Sequence, residues 1–162
     1  MNEPLPAANP SDVESIDAII TASYRLISGK AGEQRDWARM RTLFAPGARL
    51  IPTSRQAGTR GPVGQTPEPL DVDMYMERVQ PFFEQNGFYE TELARHVDQF
   101  DQIAQAFSTY ESRHQPNDRE PFMRGINSFQ LFNDGKRWWI VNIFWQQEYP
   151  GAAIPEKYLT SE

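Results

Sequence analysis

Asn127 and Asn142 are the residues whose spacing most directly suggests chemistry. Both lie in the stretch from Pro121 to Glu148, PFMRGINSFQLFNDGKRWWIVNIFWQQE, where two alternating apolar runs flank an Asp-Gly turn signal. With Asp134 and Gly135 as the central residues of a primed turn, Leu131 pairs with Trp138, Phe129 with Ile140, Asn127 with Asn142 and Gly125 with Phe144. Two amides then face each other inside an apolar stripe. Their donors and acceptors need partners, which each other, a water, or the carbonyl or hydroxyl of a ligand can supply. Polar groups on the floor of an apolar concavity are the usual arrangement of a small-molecule site, and Gly125 beside Phe144 leaves room for the molecule. A type I turn with Gly135 in a bulge would shift the pairing by one residue and mix the faces, so the register that keeps the apolar set together is expected.

A second constellation is titratable. In a regular strand His96 and Asp98 project to one side together with Glu90 and Glu92, and Glu111 and Arg113 could meet them across a hairpin. His96 and Glu111 are the candidates for general acid–base work. The competing reading is an ordinary charged, solvated face. If the other face of these strands points inward, Arg95, Ser108 and Tyr110 line the pocket instead. The spacing of His96 and Asp98 is poor for a metal, since His114 is the only other histidine, and neither a metal site nor a cofactor is expected.

Several elements must position these residues. Ser11 with Glu14 forms a capping-box pattern, after which Val13, Ile16, Ile20, Tyr24 and Ile27 follow helical spacing up to Gly29. Tyr24 on the apolar face of this helix, with Tyr110 and Phe144, completes the expected ligand-binding set. Asp36 can cap a short helix carrying Trp37, Met40, Leu43 and Phe44, and Ala48 to Thr53 reads as a short edge strand. Residues 54–69 are rich in proline and glycine and nearly free of large apolar side chains, which suits a lid or a disordered loop. A helix follows with Met74, Tyr75, Val79, Phe82 and Phe83 on its buried stripe, capped by Asp71 or Asp73 and ended by Asn86-Gly87. Residues 88–114 alternate with period two, broken at Phe100-Asp101-Gln102 into two strands. Residues 1–10 read as a loose leader, 11–149 as one domain, and 150–162 as a tail with Ile154, Tyr158 and Leu159 as docking points.

Helices first and antiparallel strands last give an α+β class, with three N-terminal helices on a curved antiparallel sheet. The 162 residues suffice for one core. A net charge of −6 without clustered Lys and Arg argues against nucleic acid and anionic membranes as partners. No apolar run approaches a membrane span, no signal-peptide pattern opens the chain, and the absence of cysteine suits a reducing compartment, so a cytoplasmic protein is expected. Trp139, Ile143, Trp145 and Arg124 share a strand face too aromatic for solvent, which is expected to be a homodimer interface.

The element order resembles the nuclear transport factor 2-like superfamily, and within it the bacterial SnoaL-like branch. The segments DAIITASYRLISG with DWARMRTLFAPGARL, IAQAFSTYESR, and RGINSFQLFNDGKRWWIVNIFWQQE carry the resemblance over about Ser11 to Glu148. It implies a cone-shaped fold, a pocket between helices and sheet, and frequent dimerisation through the outer sheet face. SnoaL-like enzymes often carry W-x-I-x-H-x-H near the end of the last strand. Here Asn142 and Phe144 stand at the histidine positions. Three readings stay open: an isomerase, cyclase or dehydratase acting by acid–base chemistry on a small, mostly apolar molecule, a non-catalytic carrier, and a dimeric interaction module. A titratable group shifted inside a closed pocket would favour the enzyme.

Overall fold

The computed structural model describes residues 7–161. The leader expected at residues 1–10 lies mostly outside them. Its last residues already belong to a cap: the Asn9 side chain accepts from Ser11 N and opens helix α1 (Pro10–Val13). Ser15, in extended conformation, then restarts the chain and caps α2 (Ile16–Ile27) by accepting from Ala18 N at 2.9 Å. The single helix expected behind a Ser11–Glu14 capping box is thus two. Beyond α2 the buried Arg35 donates to the carbonyls of Ile27 and Gly29, both at 3.0 Å, satisfying carbonyls that the helix end leaves open. Asp36 caps α3 (Trp37–Arg41), and Asp71 caps α4 (Val72–Gln85) by accepting from Met74 N at 2.8 Å.

The strands are β1 (Phe44–Pro52), β2 (Tyr89–Phe100), β3 (Ile103–Arg113), β4 (Met123–Asn133) and β5 (Trp138–Gln147), in sheet order β1-β5-β4-β3-β2. The fold is α+β, with α2 and α4 on the concave side of a curved sheet. One pair departs from the expected antiparallel sheet: β1 runs parallel to β5, the connection between them spanning α4 and three strands. Ile19 and Ile20 of α2 pack with Leu43, Phe129 and Ile140 in a core from which water is almost wholly excluded. Each such side chain contributes about 1.5–3 kcal/mol of burial free energy. Among the described residues no helix is long and apolar enough to cross a membrane.

Two bulges decide which residues face the concavity. In β2, Glu92 pairs with Tyr110 but Ala94 pairs with Thr109, so Leu93 is the extra residue and the alternation reverses. Glu90 and Glu92 point inward, whereas His96 and Asp98 project from the convex face. In β5, Leu131 pairs with Ile140 but Gln130 pairs with Asn142, leaving Val141 as the extra residue. The hairpin loop is also longer than expected, because Asn133 pairs with Trp138. Asp134 organises it by accepting from Lys136 N, Arg137 N and Trp139 Nε1, and Gly135 takes φ +94°. The expected register is therefore wrong: Asn127 stands opposite Trp145, and Asn142 opposite Gln130.

The bulge also relocates two residues of the expected interface. Ile143 is buried in the core and Trp145 packs edge-on to Tyr75, with ring centroids 5.9 Å apart. Trp139 and Arg124 do lie on the convex face, where Arg137 stacks on Trp139 and Arg124 pairs with Glu148. The tail docks on that face too: Tyr158 lies against His96 and Phe107, and its carbonyl accepts from Thr109 Oγ1 at 2.6 Å.

Candidate functional site

A cavity of about 730 Å³ lies between α2, α4 and the inner face of the sheet. Its walls are largely apolar and aromatic, with Ile27, Phe83, Phe88, Phe122, Phe129 and Trp145 prominent among them. The loop between β1 and α4 supplies a further wall. Gly58 N on this loop donates to Gln147 Oε1 at 2.6 Å, and Thr53 N to the Trp145 carbonyl at 3.3 Å.

Glu90 is the carboxyl in the sheet wall of this space. Phe88, two residues earlier on the same face, turns into the aromatic cluster, and the strand carries Glu90 beside it. Asn127 Nδ2 donates to Glu90 Oε1 at 3.1 Å and to Tyr24 Oη at 3.0 Å. Tyr24 Oη lies 2.6 Å from Ser108 Oγ, and Ser108 donates to Glu92. Glu92 is in turn paired with Arg95 at 2.7 Å. Removal from water pushes the Glu90 carboxyl up to about 7, against a smaller opposing effect of the Asn127 bond. Burial, reinforced by the neighbouring Glu90 charge, raises the phenols of Tyr24, Tyr75 and Tyr110 far above their ordinary value. They are neutral donors. The hydroxyls of Tyr75 and Tyr110 have no hydrogen-bond partner among the described residues, and both side chains line the cavity.

Of the residues expected to bind a ligand, Tyr24, Tyr110 and Asn127 line the cavity together. Asn142 and Phe144 do not, because the Val141 bulge turns them to the convex face. His96 and Glu111 are also absent from this cavity. His96 Nε2 lies 2.8 Å from the Thr160 carbonyl under the tail, and Glu111 pairs with Arg113 beside a separate polar cleft that also holds Arg124 and Glu148. Glu90 and Trp145 are lining residues that sequence reasoning placed elsewhere, and Tyr75, expected only on the buried stripe of its helix, joins them. A legible signal for Glu90 was its position two residues after Phe88 at the start of a strand, which sets it on the face of a core aromatic.

No family model and no curated protein matches the sequence. Solved structures do. A protein from Xanthomonas campestris, named as a candidate calcium/calmodulin dependent protein kinase II association domain, superposes with a TM-score of 0.55 at 16% identity over 96% of this chain and 99% of its own. An NTF2-like protein of unknown function from Shewanella baltica OS155 superposes with a TM-score of 0.50 at 14% identity, over 80% of this chain and 90% of that one. The chain has the nuclear transport factor 2-like fold. At these identities the likeness establishes the NTF2-like architecture, and function must be argued from the site itself.

Proposed function

We propose that the cavity binds a small, mostly apolar molecule carrying a carbonyl or hydroxyl group, and that Glu90 takes and returns a proton on it. The supporting observation is an ionisable carboxyl held by a buried amide in the sheet wall of a cavity whose walls are largely apolar and aromatic. A carboxyl near 7 is matched to proton transfer in neutral solution, because both of its forms are populated there. As carboxylate it removes a proton from the carbon beside a ligand carbonyl. The bonding pair of that C–H forms a new C=C bond while the carbonyl π pair moves onto oxygen, giving an enolate to whose oxygen the free hydroxyl of Tyr75 or Tyr110 can donate. Glu90, now the acid, returns the proton to another carbon in an isomerisation, or to a leaving hydroxyl in a dehydration. Assignment to the SnoaL-like branch belongs to the same proposal. The departure at Asn142 and Phe144 falls on the convex face and leaves this chemistry untouched.

Deuterium exchange tests the reading. A panel of cyclic enones and aryl ketones is incubated with the protein in D2O and examined by mass spectrometry. The parent should introduce deuterium beside the carbonyl, and Glu90→Gln should not. Binding of the same molecules without exchange in the parent would favour the carrier reading.

The convex face belongs to the proposal as a homodimer interface. Phe144 and Phe107 are 42% and 41% exposed there, beside Phe132 and Trp139. Aromatic side chains in such a row are typical of interface cores. A cytoplasmic setting goes with this reading, supported by the cysteine-free sequence.

A further inference from the structure

Glu92 sits behind the cavity in a charge pair with Arg95, whose Nε and Nη2 lie 3.0 and 2.7 Å from its carboxylate while Nη1 reaches Asp17 at 3.0 Å. A carboxylate so paired can only accept hydrogen bonds. Ser108, fully buried beside it, must therefore commit its single hydroxyl proton to Glu92. The Ser108 oxygen can then only accept from Tyr24, 2.6 Å away, so the phenol proton is committed as well. With that proton used, Tyr24 Oη is an acceptor. Its neighbour at 3.0 Å must be the amide nitrogen of Asn127 rather than the amide oxygen, and the second N–H of that nitrogen falls on Glu90. The two ends of an amide are nearly alike in shape, but this sequence of hydrogen counts admits one orientation.

We propose that Ser108 and Tyr24 are positioning residues for Glu90: anchored on the Glu92–Arg95 pair, they hold Asn127 as a hydrogen-bond donor to the cavity carboxyl. The inference rests on the reading of Glu90 as the proton-carrying group. In the reversed orientation the amide oxygen would accept from Tyr24 and from protonated Glu90 together. One orientation favours the carboxylate and the other favours the acid. The chain of hydrogen bonds selects the first, the form able to take a proton from a ligand. The titratable groups facing Glu90 are Tyr24 from α2, Tyr75 from α4 and Tyr110 from β3, all neutral. The charged side chains that also line the cavity are Arg78 of α4, paired with Glu68 at 3.0 Å, and, on the loop between β1 and α4, Glu68 itself and Arg55.

Carboxyl carbon NMR on the ligand-free protein, with Glu90 assigned through Glu90→Gln, tests the proposal without any substrate. Ser108→Ala releases the Tyr24 proton to bond the amide oxygen of a reversed Asn127, so Glu90 should titrate about half a pH unit or more above the parent. Ser108→Thr keeps a hydroxyl and should restore the parent value. Tyr24→Phe provides the second arm should Ser108→Ala fail to fold: without a phenol oxygen to accept, the amide loses its constraint and Glu90 should again rise. Titration of Glu90 at or below the parent pH in either variant overturns the proposal. A parent Glu90 titrating in the ordinary carboxylate range overturns instead the site reading beneath it, so the two failures are distinct.

Discussion

Asn127 Nδ2 meets Glu90 Oε1 at 3.1 Å, joining β4 to the edge strand β2 across the inner face of β3. Two effects oppose each other at that carboxyl. Loss of water raises its pKa, the amide bond lowers it, and desolvation prevails.

The imbalance makes stability depend on pH. Glu90 holds its proton more tightly in the folded chain than in the unfolded one, with a pKa of about 7 against 4.5, so folding takes up a proton between those values. The resulting stabilisation is fully present below the lower value and is lost as pH rises through the higher one. Glu90→Gln has no such loss. Between pH 5 and pH 8 the stability difference should move in the variant's favour by about 2 kcal/mol. Urea unfolding at the two pH values measures it, and a difference that stays constant contradicts the assignment.

Asn127 and Asn142 should respond differently to the same change. Asn127→Leu strips a donor from both Glu90 and Tyr24, at a cost of about 1–3 kcal/mol in stability. It should also weaken a hydroxyl-bearing ligand about tenfold or more, because both amide N–H groups are taken and the Asn127 oxygen is left to accept from such a ligand, as read by quenching of tryptophan fluorescence from the cavity wall. Asn142→Leu, on the convex face, should leave ligand affinity unchanged. Equal effects from the two would return Asn142 to the cavity.

Gly125 has no room for a side chain. A Cβ there would lie 2.5 Å from Tyr110 Oη and closer still to the Gln146 carbonyl. Gly125→Ala should therefore displace Tyr110 from the cavity wall and cost about 1–3 kcal/mol in denaturant unfolding. A variant as stable as the parent would show that this strand pair yields more easily than its packing implies.

The two aromatic neighbours Phe144 and Trp145 separate assembly from folding. Phe144→Arg should shift sedimentation toward the monomer with an unchanged circular dichroism spectrum. Trp145→Arg should damage the fold, since this ring packs against Tyr75. A Phe144→Arg protein that sediments like the parent defeats the interface proposal.

Much of the architecture was legible because local chemistry and tertiary demand agree. Asp36 and Asp71 cap the helices that their spacing suggests, the turn at Asp101-Gln102 joins β2 to β3, and Tyr24 falls on a buried helix face. Facing was legible only as far as strands stay regular. Leu93 and Val141 each add one residue to a strand, and each reverses the alternation beyond it. Neither side chain announces this, being an ordinary strand former. The first bulge separates Glu90 from His96, and the second separates Asn127 from Asn142, so both candidate clusters were divided by features that alternation alone cannot reveal. The parallel placement of β1 beside β5 is a long-range pairing with no local signal.

The most direct test of the central claim is the titration of Glu90 itself, followed through its side-chain carboxyl carbon in the unliganded protein. The account predicts one inflection near pH 7 that disappears in Glu90→Gln. An inflection near pH 4, the value of a carboxyl in water, would contradict it.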